Sequence, residues 1–252
     1  MIICFATHKG GAGKTTSAIN TSAALALEEK EVLAIDIDPQ GHTTKGLGVE
    51  LDYKDRMIAD VLERRVCVTE VLKQTRYPKL ALIPSYLRLA QTAENLYSRI
   101  KREELLTKIL EPIRLHYEWI VIDCPPNLGL LTANAITASD VVIVPCEMGG
   151  ARALDGLGEQ VYTVGVLKGE EFDNWWILPT KLDVRKSVSL DASRQLLKPY
   201  KDQGRIFDTE IDICEPLNQS QFLNQDVFAF DGKSKGAEDY RAFAKELISR
   251  YS

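Results

Sequence analysis

The sequence predicts an α/β fold with a doubly wound, mostly parallel sheet that carries helices on both faces. Short apolar runs alternate with helical patterns along almost the whole chain. The apolar runs are continuous rather than alternating with polar residues, which indicates strands buried on both faces. The first run also ends in a glycine-rich turn that leads into an Ala-rich helical stretch. We expect residues 1–252 to form one domain with a C-terminal helix.

Six strands are expected, one for each apolar run. They cover residues 2–7, 32–37, 79–84, 119–123 and 141–145, and a sixth begins within residues 177–180. Helical patterns fill residues 14–29, 87–100, 102–115 and 152–167. Near the C-terminus, Ala237, Tyr240, Ala244, Leu247 and Ile248 recur at helical spacing, which predicts an amphipathic helix docked onto the domain.

Composition limits the class of protein. The chain has 252 residues, of which 45% are hydrophobic and 27% charged, so it can bury a large core. Its formal net charge is −5, so binding to nucleic acid would require a local basic patch. There is no basic leader before an apolar segment and no apolar run of roughly 20 residues, so we expect a cytoplasmic protein without a membrane span.

The five cysteines are scattered and show no CxxC spacing. Cys4, Cys124 and Cys146 lie in apolar runs, which favours buried, reduced thiols over a metal or iron–sulfur site.

The turn after the first strand predicts a phosphate-binding loop. Glycines let backbone N–H groups approach phosphate oxygens, and the N-terminus of the following helix adds its positive dipole end. Lys14 can reach the β- and γ-phosphates, and the hydroxyl of Thr15 is placed to ligate Mg²⁺. The expected nucleotide-binding residues in this loop are Lys9, Gly10, Gly11, Ala12, Gly13, Lys14, Thr15 and Thr16. The usual phosphate-binding loop pattern has glycine at the position where this chain has His8.

Carboxylates follow two further strands. Asp36 and Asp38 end the second strand on the same side of an extended chain, and Asp123 ends the fourth. An apolar strand tipped by an acid can hold Mg²⁺ beside the phosphate loop. Thr15, Asp38 and Asp123 are therefore the candidate metal ligands. For Asp36, a structural role and a direct role both remain open, and Asp38 could simply initiate an Asp-Pro turn.

These segments together resemble the ParA/MinD family of P-loop NTPases. Residues 9–16, KGGAGKTT, resemble the family's deviant Walker A motif KGGxGK[TS]. Residues 36–42, DIDPQGH, resemble its DxDPQGN segment, with His42 in place of asparagine. Residues 123–126, DCPP, resemble its D-x-P-P switch, and residues 127–134 match the segment that follows. The resemblance covers most of the chain and is tightest in residues 1–48, 119–147 and 226–248.

The resemblance implies a mechanism. A ParA-type protein binds ATP or ADP with Mg²⁺ and forms a homodimer around ATP. In that family the first lysine of the loop crosses the dimer, a role that falls on Lys9. The aspartate before proline positions the attacking water, which points to Asp38. The implied catalytic residues are thus Lys9, Lys14 and Asp38. In relatives, residues after the sixth strand lie near the adenine, which suggests Thr180 and Lys181. The alternative interpretation is that these two residues belong to a simple loop.

The family also implies slow hydrolysis stimulated by a ParB-like or other cargo adaptor, nonspecific DNA binding, and nucleoid association when ATP is bound. The cargo could be a plasmid, a chromosome origin or a protein organelle. Residues 181–205 hold seven basic and three acidic side chains, a local charge of +4 in a chain of −5. The predicted DNA contacts are Arg185, Lys186, Arg194, Lys198, Lys201, Arg205, Lys233 and Lys235. The alternative interpretation is a solvated helix face.

One segment departs from the family. ParA relatives often carry a basic stretch resembling IPRNVRLSEAP before the final helix, whereas residues 211–218 here are acidic.

Two other functions fit the sequence less well. A MinD-like positioning ATPase would require a membrane-inserting tail, and this tail lacks an exposed aromatic cluster. A nitrogenase-reductase-like enzyme would need paired cysteines in glycine-rich surroundings, which Cys124 and Cys146 lack.

Overall fold

The computed structural model describes residues 1–52, 54–150, 156–169, 171–183 and 185–251. Within these residues, seven strands form one sheet in the order β3-β4-β2-β5-β1-β6-β7. All neighbouring strands pair in parallel except β3, which runs antiparallel to β4 at one edge. The strands are β1 (Ile2–Phe5), β2 (Val32–Asp36), β3 (Lys73–Gln74), β4 (Leu80–Ile83), β5 (Trp119–Asp123), β6 (Val141–Glu147) and β7 (Trp175–Thr180).

Within the described residues, eleven α-helices lie between the strands or follow the last of them. They are α1 (Lys14–Leu27), α2 (His42–Gly46), α3 (Ile58–Leu62), α4 (Arg88–Leu96), α5 (Leu105–Leu110), α6 (Leu130–Ala138), α7 (Leu157–Lys168), α8 (Ser187–Asp202), α9 (Glu215–Phe222), α10 (Val227–Asp231) and α11 (Lys235–Tyr251). Short 3₁₀ turns lie at Val68–Val71, Arg102–Glu104 and Arg114–His116.

The core has two halves, one on each face of the sheet. Successive residues of β1 alternate between them: Cys4 belongs to one buried cluster, and Ile3 and Phe5 belong to the other. The first cluster contains side chains from α3 to α8, and the second contains those of α1 and α11. Because strand residues point alternately to the two faces, this division confirms the predicted doubly wound arrangement.

The six predicted strands are all present, although several begin or end one or two residues away from the prediction. The edge strand β3 was not predicted, because two residues carry no apolar run. The helix predicted for residues 102–115 is wrong in its extent. It contains only α5 between two 3₁₀ turns, and Pro112, which lacks an N–H donor, interrupts it. The helix predicted for residues 152–167 corresponds to α7, and residues 151–155 lie outside the described residues.

The C-terminal helix docks onto the domain, as predicted. Tyr240, Phe243 and Leu247 of α11 are fully buried against α1 and the sheet. The hydroxyl of Tyr240 lies 3.1 Å from that of Ser17, so the two helices share a buried hydrogen bond. The apolar face of α11 is therefore part of the core. Within the described part of the chain, no helix combines the length and apolar character needed to cross a bilayer.

Candidate functional site

The candidate site lies where the parallel strands β1, β2, β5, β6 and β7 end. The loop after β1 wraps toward the N-terminus of α1, which begins at Lys14. Gly11 and Gly13 have φ angles of 77° and 92°, a left-handed conformation that side chains with a Cβ rarely adopt. Gly10 and Gly11 are exposed, whereas Ala12 is buried and Thr15 and Thr16 are partly exposed. The sequence therefore produces an open turn of backbone amides at the start of a helix.

The side chain of Lys14 is buried inside this turn. Its ammonium donates a hydrogen bond to the carbonyl oxygen of Lys9 at 3.1 Å. Burial lowers the pKa of Lys14, and the carboxylates of Asp123 and Asp38 partly oppose that shift. A partly desolvated ammonium held by one neutral acceptor is ready to exchange that acceptor for a phosphate oxygen.

Lys9 occupies the outer rim of the same turn. Its ammonium lies 3.1 Å from a carboxylate oxygen of Glu147, the last residue of β6, and both side chains are about one-third exposed or less. Beside it, the ring of His8 lies against Gly156, where a Cβ would overlap the imidazole. The glycine that the usual loop pattern has at position 8 is thus replaced by a side chain that contacts the start of α7.

Two carboxylates stand side by side at the ends of β2 and β5. Asp36 and Asp123 are partners in the parallel register of the two strands and are fully buried. One oxygen of Asp36 accepts hydrogen bonds at 2.8 Å from both the backbone N–H and the hydroxyl of Thr44. The other accepts the N–H of Asp38 at 3.1 Å. Asp36 therefore fixes the loop after β2, which favours its structural role.

Burial raises the pKa of both acids. For Asp36 the nearby carboxylate of Asp123 adds to this effect, and the hydrogen bonds from Thr44 oppose it. For Asp123 the hydroxyls of Thr43 and Thr15 oppose the rise. Two adjacent buried carboxylates of this kind favour the arrival of a positive charge.

Asp38 lies in the loop that follows β2 and is almost fully buried. One of its carboxylate oxygens accepts the N–H of Gln40 at 2.9 Å, and its carbonyl accepts the hydroxyl of Ser85 at 2.8 Å and the N–H of Gly41 at 3.0 Å. The turn requires glycine at 41, because φ is 65° and a Cβ would lie 2.6 Å from the carbonyl oxygen of Ser85. Asp38 thus forms the turn that its Asp-Pro sequence predicts, at the edge of the phosphate loop.

The donor set beside the loop fits Mg²⁺. The hydroxyl of Thr43 donates to Oδ2 of Asp123 at 2.7 Å. Oδ1 of Asp123 is buried and meets no hydrogen-bond donor of normal geometry among the described residues. The hydroxyl of Thr15 is near enough to influence the pKa of Asp123. A buried carboxylate oxygen without a hydrogen-bond partner, together with a nearby threonine hydroxyl, provides the oxygen ligands that Mg²⁺ prefers.

Thr180 and Lys181, the two residues predicted to lie near the adenine, lie beside the loop. The hydroxyl of Thr180 donates to the carbonyl of Ala12 at 2.9 Å, so this side chain supports the loop backbone. Lys181 is exposed and has a φ of 55°. Both line a cavity of about 70 Å³, whose other walls come from Gly13, Thr16, Ile211–Cys214, Leu217, Asn218, Gln221 and Tyr240. The sequence marked residues 211–218 only as a departure from a basic stretch, so their position beside Thr180 and Lys181 was missed.

A wider groove of about 640 Å³ is also lined by Thr16. The groove is lined by His42 of α2 and by amide side chains from α9 and from the residues that follow α9. Gln221 donates to the hydroxyl of Thr16 at 3.0 Å, which ties α9 to the phosphate loop. The loop is therefore flanked by two cavities that share Thr16.

The predicted DNA-contact residues do not form one uniform set. Several are paired within the chain: Arg185 with Asp183 at 2.8 Å, Arg194 with Glu210 at 3.3 Å, Arg205 with Asp173, and Lys235 with Asp212 and Asp239. Lys186, Lys198, Lys201 and Lys233 are exposed and have no ion pair among the described residues. Lys198 and Lys201 also line a cavity of about 760 Å³ under α8.

The chain is similar in sequence to a protein-family model and to named bacterial proteins. A family model described as an AAA domain matches residues 1–174. The sporulation initiation inhibitor protein Soj of Bacillus subtilis is 37% identical over 253 residues, which cover 98% of each chain. The chromosome partitioning protein ParA of Myxococcus xanthus is 34% identical over 254 residues, covering 99% of this chain and 88% of the relative.

Among solved structures, cobyrinic acid a,c-diamide synthase from Mycobacterium smegmatis, bound to an ATP analogue and magnesium, is 29% identical. The match has a TM-score of 0.81 and covers 99% of this chain and 95% of that one.

Proposed function

The chain belongs to the ParA/MinD family of P-loop ATPases, and we propose that it is a ParA-type partition or positioning ATPase. A relative of known structure holds an ATP analogue with magnesium, which supports nucleotide and magnesium binding in this chain. The observation that carries the proposal is the pair of lysines in one glycine turn. Lys14 is buried beneath the loop, and Lys9 is held at its rim.

Within one protomer, the nucleotide site would use the residues already described. Backbone amides of residues 10–16 and the ammonium of Lys14 bind the phosphate tail, and Thr15 with Asp123 would hold Mg²⁺, which neutralises charge on the phosphates. Asp38 orients the attacking water from the loop after β2. Asp36 keeps that loop in place through its three hydrogen bonds. The loop after β2 thus links phosphate binding to hydrolysis.

The trans contribution would come from Lys9. A cation that arrives from a second copy of the chain neutralises charge that develops on the phosphates during the reaction. Because Lys9 lies at the rim of the loop rather than beneath it, its side chain is placed to turn outward. ATP would then lie between two protomers, and dimerisation would depend on ATP.

Nonspecific DNA binding would use exposed lysines. Four of the predicted DNA-contact residues have no ion pair among the described residues: Lys186, Lys198, Lys201 and Lys233. They support this proposal better than the paired arginines do. An adaptor on the cargo would stimulate hydrolysis and release the protein. Relatives named as chromosome partitioning proteins support a partition role.

The DNA proposal is tested by measuring binding to a random-sequence duplex with ATP, with ADP and without nucleotide, each at two salt concentrations. We expect the ATP state to bind most tightly, and its affinity to fall steeply with salt because phosphate contacts release counterions. Equal, salt-insensitive binding in all three states would contradict the proposal.

The dimer proposal is tested by light scattering with ATP. The variant Asp38→Ala, which should hydrolyse slowly, is expected to have a mass near twice 28.2 kDa, whereas Lys9→Ala should remain a monomer. If both variants stay monomeric, the nucleotide-dependent dimer is refuted.

A further inference from the structure

The ion pair between Lys9 and Glu147 holds the Lys9 ammonium within its own chain. This inference rests on the proposed function, because it concerns the lysine that would act across the dimer. Glu147 ends β6, and its backbone position is fixed by pairing with β7 opposite Thr180. The N–H of Met148 donates to the carbonyl of Thr180 at 2.9 Å, so the register holds beyond the end of the strand.

The β6–β7 pair therefore contacts the phosphate loop at two points. Thr180 donates to the carbonyl of Ala12 near the helix end of the loop. Glu147 binds the ammonium of Lys9 near the strand end. The first contact is a buried hydrogen bond between neutral groups. The second is a partly exposed ion pair, which is weaker and easier to exchange.

Both lysines of the loop are engaged within the chain. Lys14 donates to the carbonyl of Lys9, while the side chain of Lys9 is directed to Glu147. A lysine held by its own chain is not available to a second protomer. A phosphate tail in the loop would draw Lys14 away from the Lys9 carbonyl, and its negative charge would compete with Glu147 for the Lys9 ammonium.

We propose that Glu147 is a positioning residue that holds Lys9 in cis and thereby sets how readily ATP drives two copies of this chain together. Each protomer must open one Lys9–Glu147 pair before Lys9 can cross. A partly exposed pair of this kind contributes a factor of about two to five. Because two pairs open in every dimer, loss of the glutamate charge should favour the dimer by about four- to twenty-five-fold.

The variant Glu147→Gln tests this, with Glu118→Gln as a matched control. Glu118 pairs with Lys30 at 2.9 Å, a Lys–Glu pair of similar length, but it precedes β5 and so lies at the opposite end of the parallel strands. Both variants are made in the full chain. Urea midpoints of both variants equal to that of the unmodified chain would establish that neither substitution acts through unfolding.

The first measurement uses the protein without added nucleotide and does not depend on dimerisation. An N-hydroxysuccinimide acetate reagent labels lysines, and mass spectrometry follows Lys9 and Lys30 separately. We expect Glu147→Gln to speed the labelling of Lys9 about two- to five-fold and to leave Lys30 unchanged. Glu118→Gln should do the reverse. An unchanged labelling rate of Lys9 in Glu147→Gln would overturn the inference.

The second measurement places each variant in the Asp38→Ala background at saturating ATP and varies the protein concentration while light scattering reports the mass. The Glu147→Gln protein should reach half-dimerisation at a lower protein concentration, by the factor given above, than the Glu118→Gln protein. An equal or weaker dimer would overturn the inference, since Glu147 would then be neutral or would bind across the interface. If the Asp38→Ala background itself never dimerises, the proposed function fails, whereas the cis pairing of Lys9 is still decided by labelling.

Discussion

Replacing Thr180 with valine isolates the hydrogen bond that supports the phosphate loop. The hydroxyl of Thr180 donates to the carbonyl of Ala12 at 2.9 Å, and the two residues are 2% and 1% exposed. Valine has nearly the same shape but no donor. Because water cannot reach the Ala12 carbonyl, the substitution leaves a buried acceptor unsatisfied. This should lower the free energy of unfolding by about 1–3 kcal/mol.

The same substitution should weaken nucleotide binding. A methyl group in place of the hydroxyl cannot approach the carbonyl as closely as the 2.9 Å of the hydrogen bond, so the loop must shift away from β7. If about 1 kcal/mol is needed to restore the loop, affinity for Mg-ADP falls about five-fold. Urea denaturation measures the first effect, and isothermal titration calorimetry measures the second.

Thr180→Ser is the control, because it keeps the hydroxyl and removes a buried methyl group. We expect it to lower stability by about 1 kcal/mol but to bind Mg-ADP like the unmodified protein. If the valine variant binds Mg-ADP as tightly as the serine variant, the hydroxyl does not position the loop, and the reasoning fails.

Three further predictions concern the metal, the DNA surface and the core. Asp123→Asn should make nucleotide affinity low and insensitive to EDTA, whereas calorimetry of the unmodified protein should show a clear loss of affinity when magnesium is removed. Replacing Lys198 and Lys201 by glutamine should weaken DNA binding by the ATP state and reduce its salt slope by about one for each phosphate that is no longer neutralised. Phe243→Ala should cost about 3–5 kcal/mol in urea denaturation, because this ring is fully buried, whereas Phe222→Ala, at a ring 87% exposed, should change stability by less than about 0.5 kcal/mol.

Each of these has an outcome that would contradict it. EDTA-sensitive binding by Asp123→Asn would place the metal elsewhere. For the DNA surface, Arg185→Gln is the matched control, since its guanidinium is already paired with Asp183. An equal fall in DNA affinity per charge removed in that control would mean that overall charge, rather than the free lysines, governs binding. Equal destabilisation by Phe243→Ala and Phe222→Ala would contradict the described docking of α11.

Much of the fold could be predicted from the sequence because each buried strand is a continuous apolar run. The run of β5 matches the prediction at both ends, and the helix after the glycine turn begins at Lys14 as expected. Short helices and strands were harder to predict from the sequence. A two-residue edge strand such as β3 has no pattern of its own, and the five-residue α2 and α3 depend on tertiary contacts.

The candidate site was predictable to the extent that its residues are adjacent in the chain. The glycine turn, Lys14 and the strand-end acids follow from local sequence. Glu147 was not identified, because it lies 138 residues from Lys9 and only the order of strands brings the two together. The pairing of Arg194 with Glu210 was missed for a similar reason, and it changes which cations are free to meet DNA.

The central claim is that magnesium-nucleotide binds in the turn between β1 and α1 and is held there by backbone amides and lysine ammonium groups. Isothermal titration calorimetry of Mg-ATP with the unmodified chain and with a Lys9→Ala, Lys14→Ala double variant tests it most directly. We expect saturable heat with a defined stoichiometry in the first and none in the second. Heat of equal size and affinity in the double variant, or no heat in either, would contradict the account.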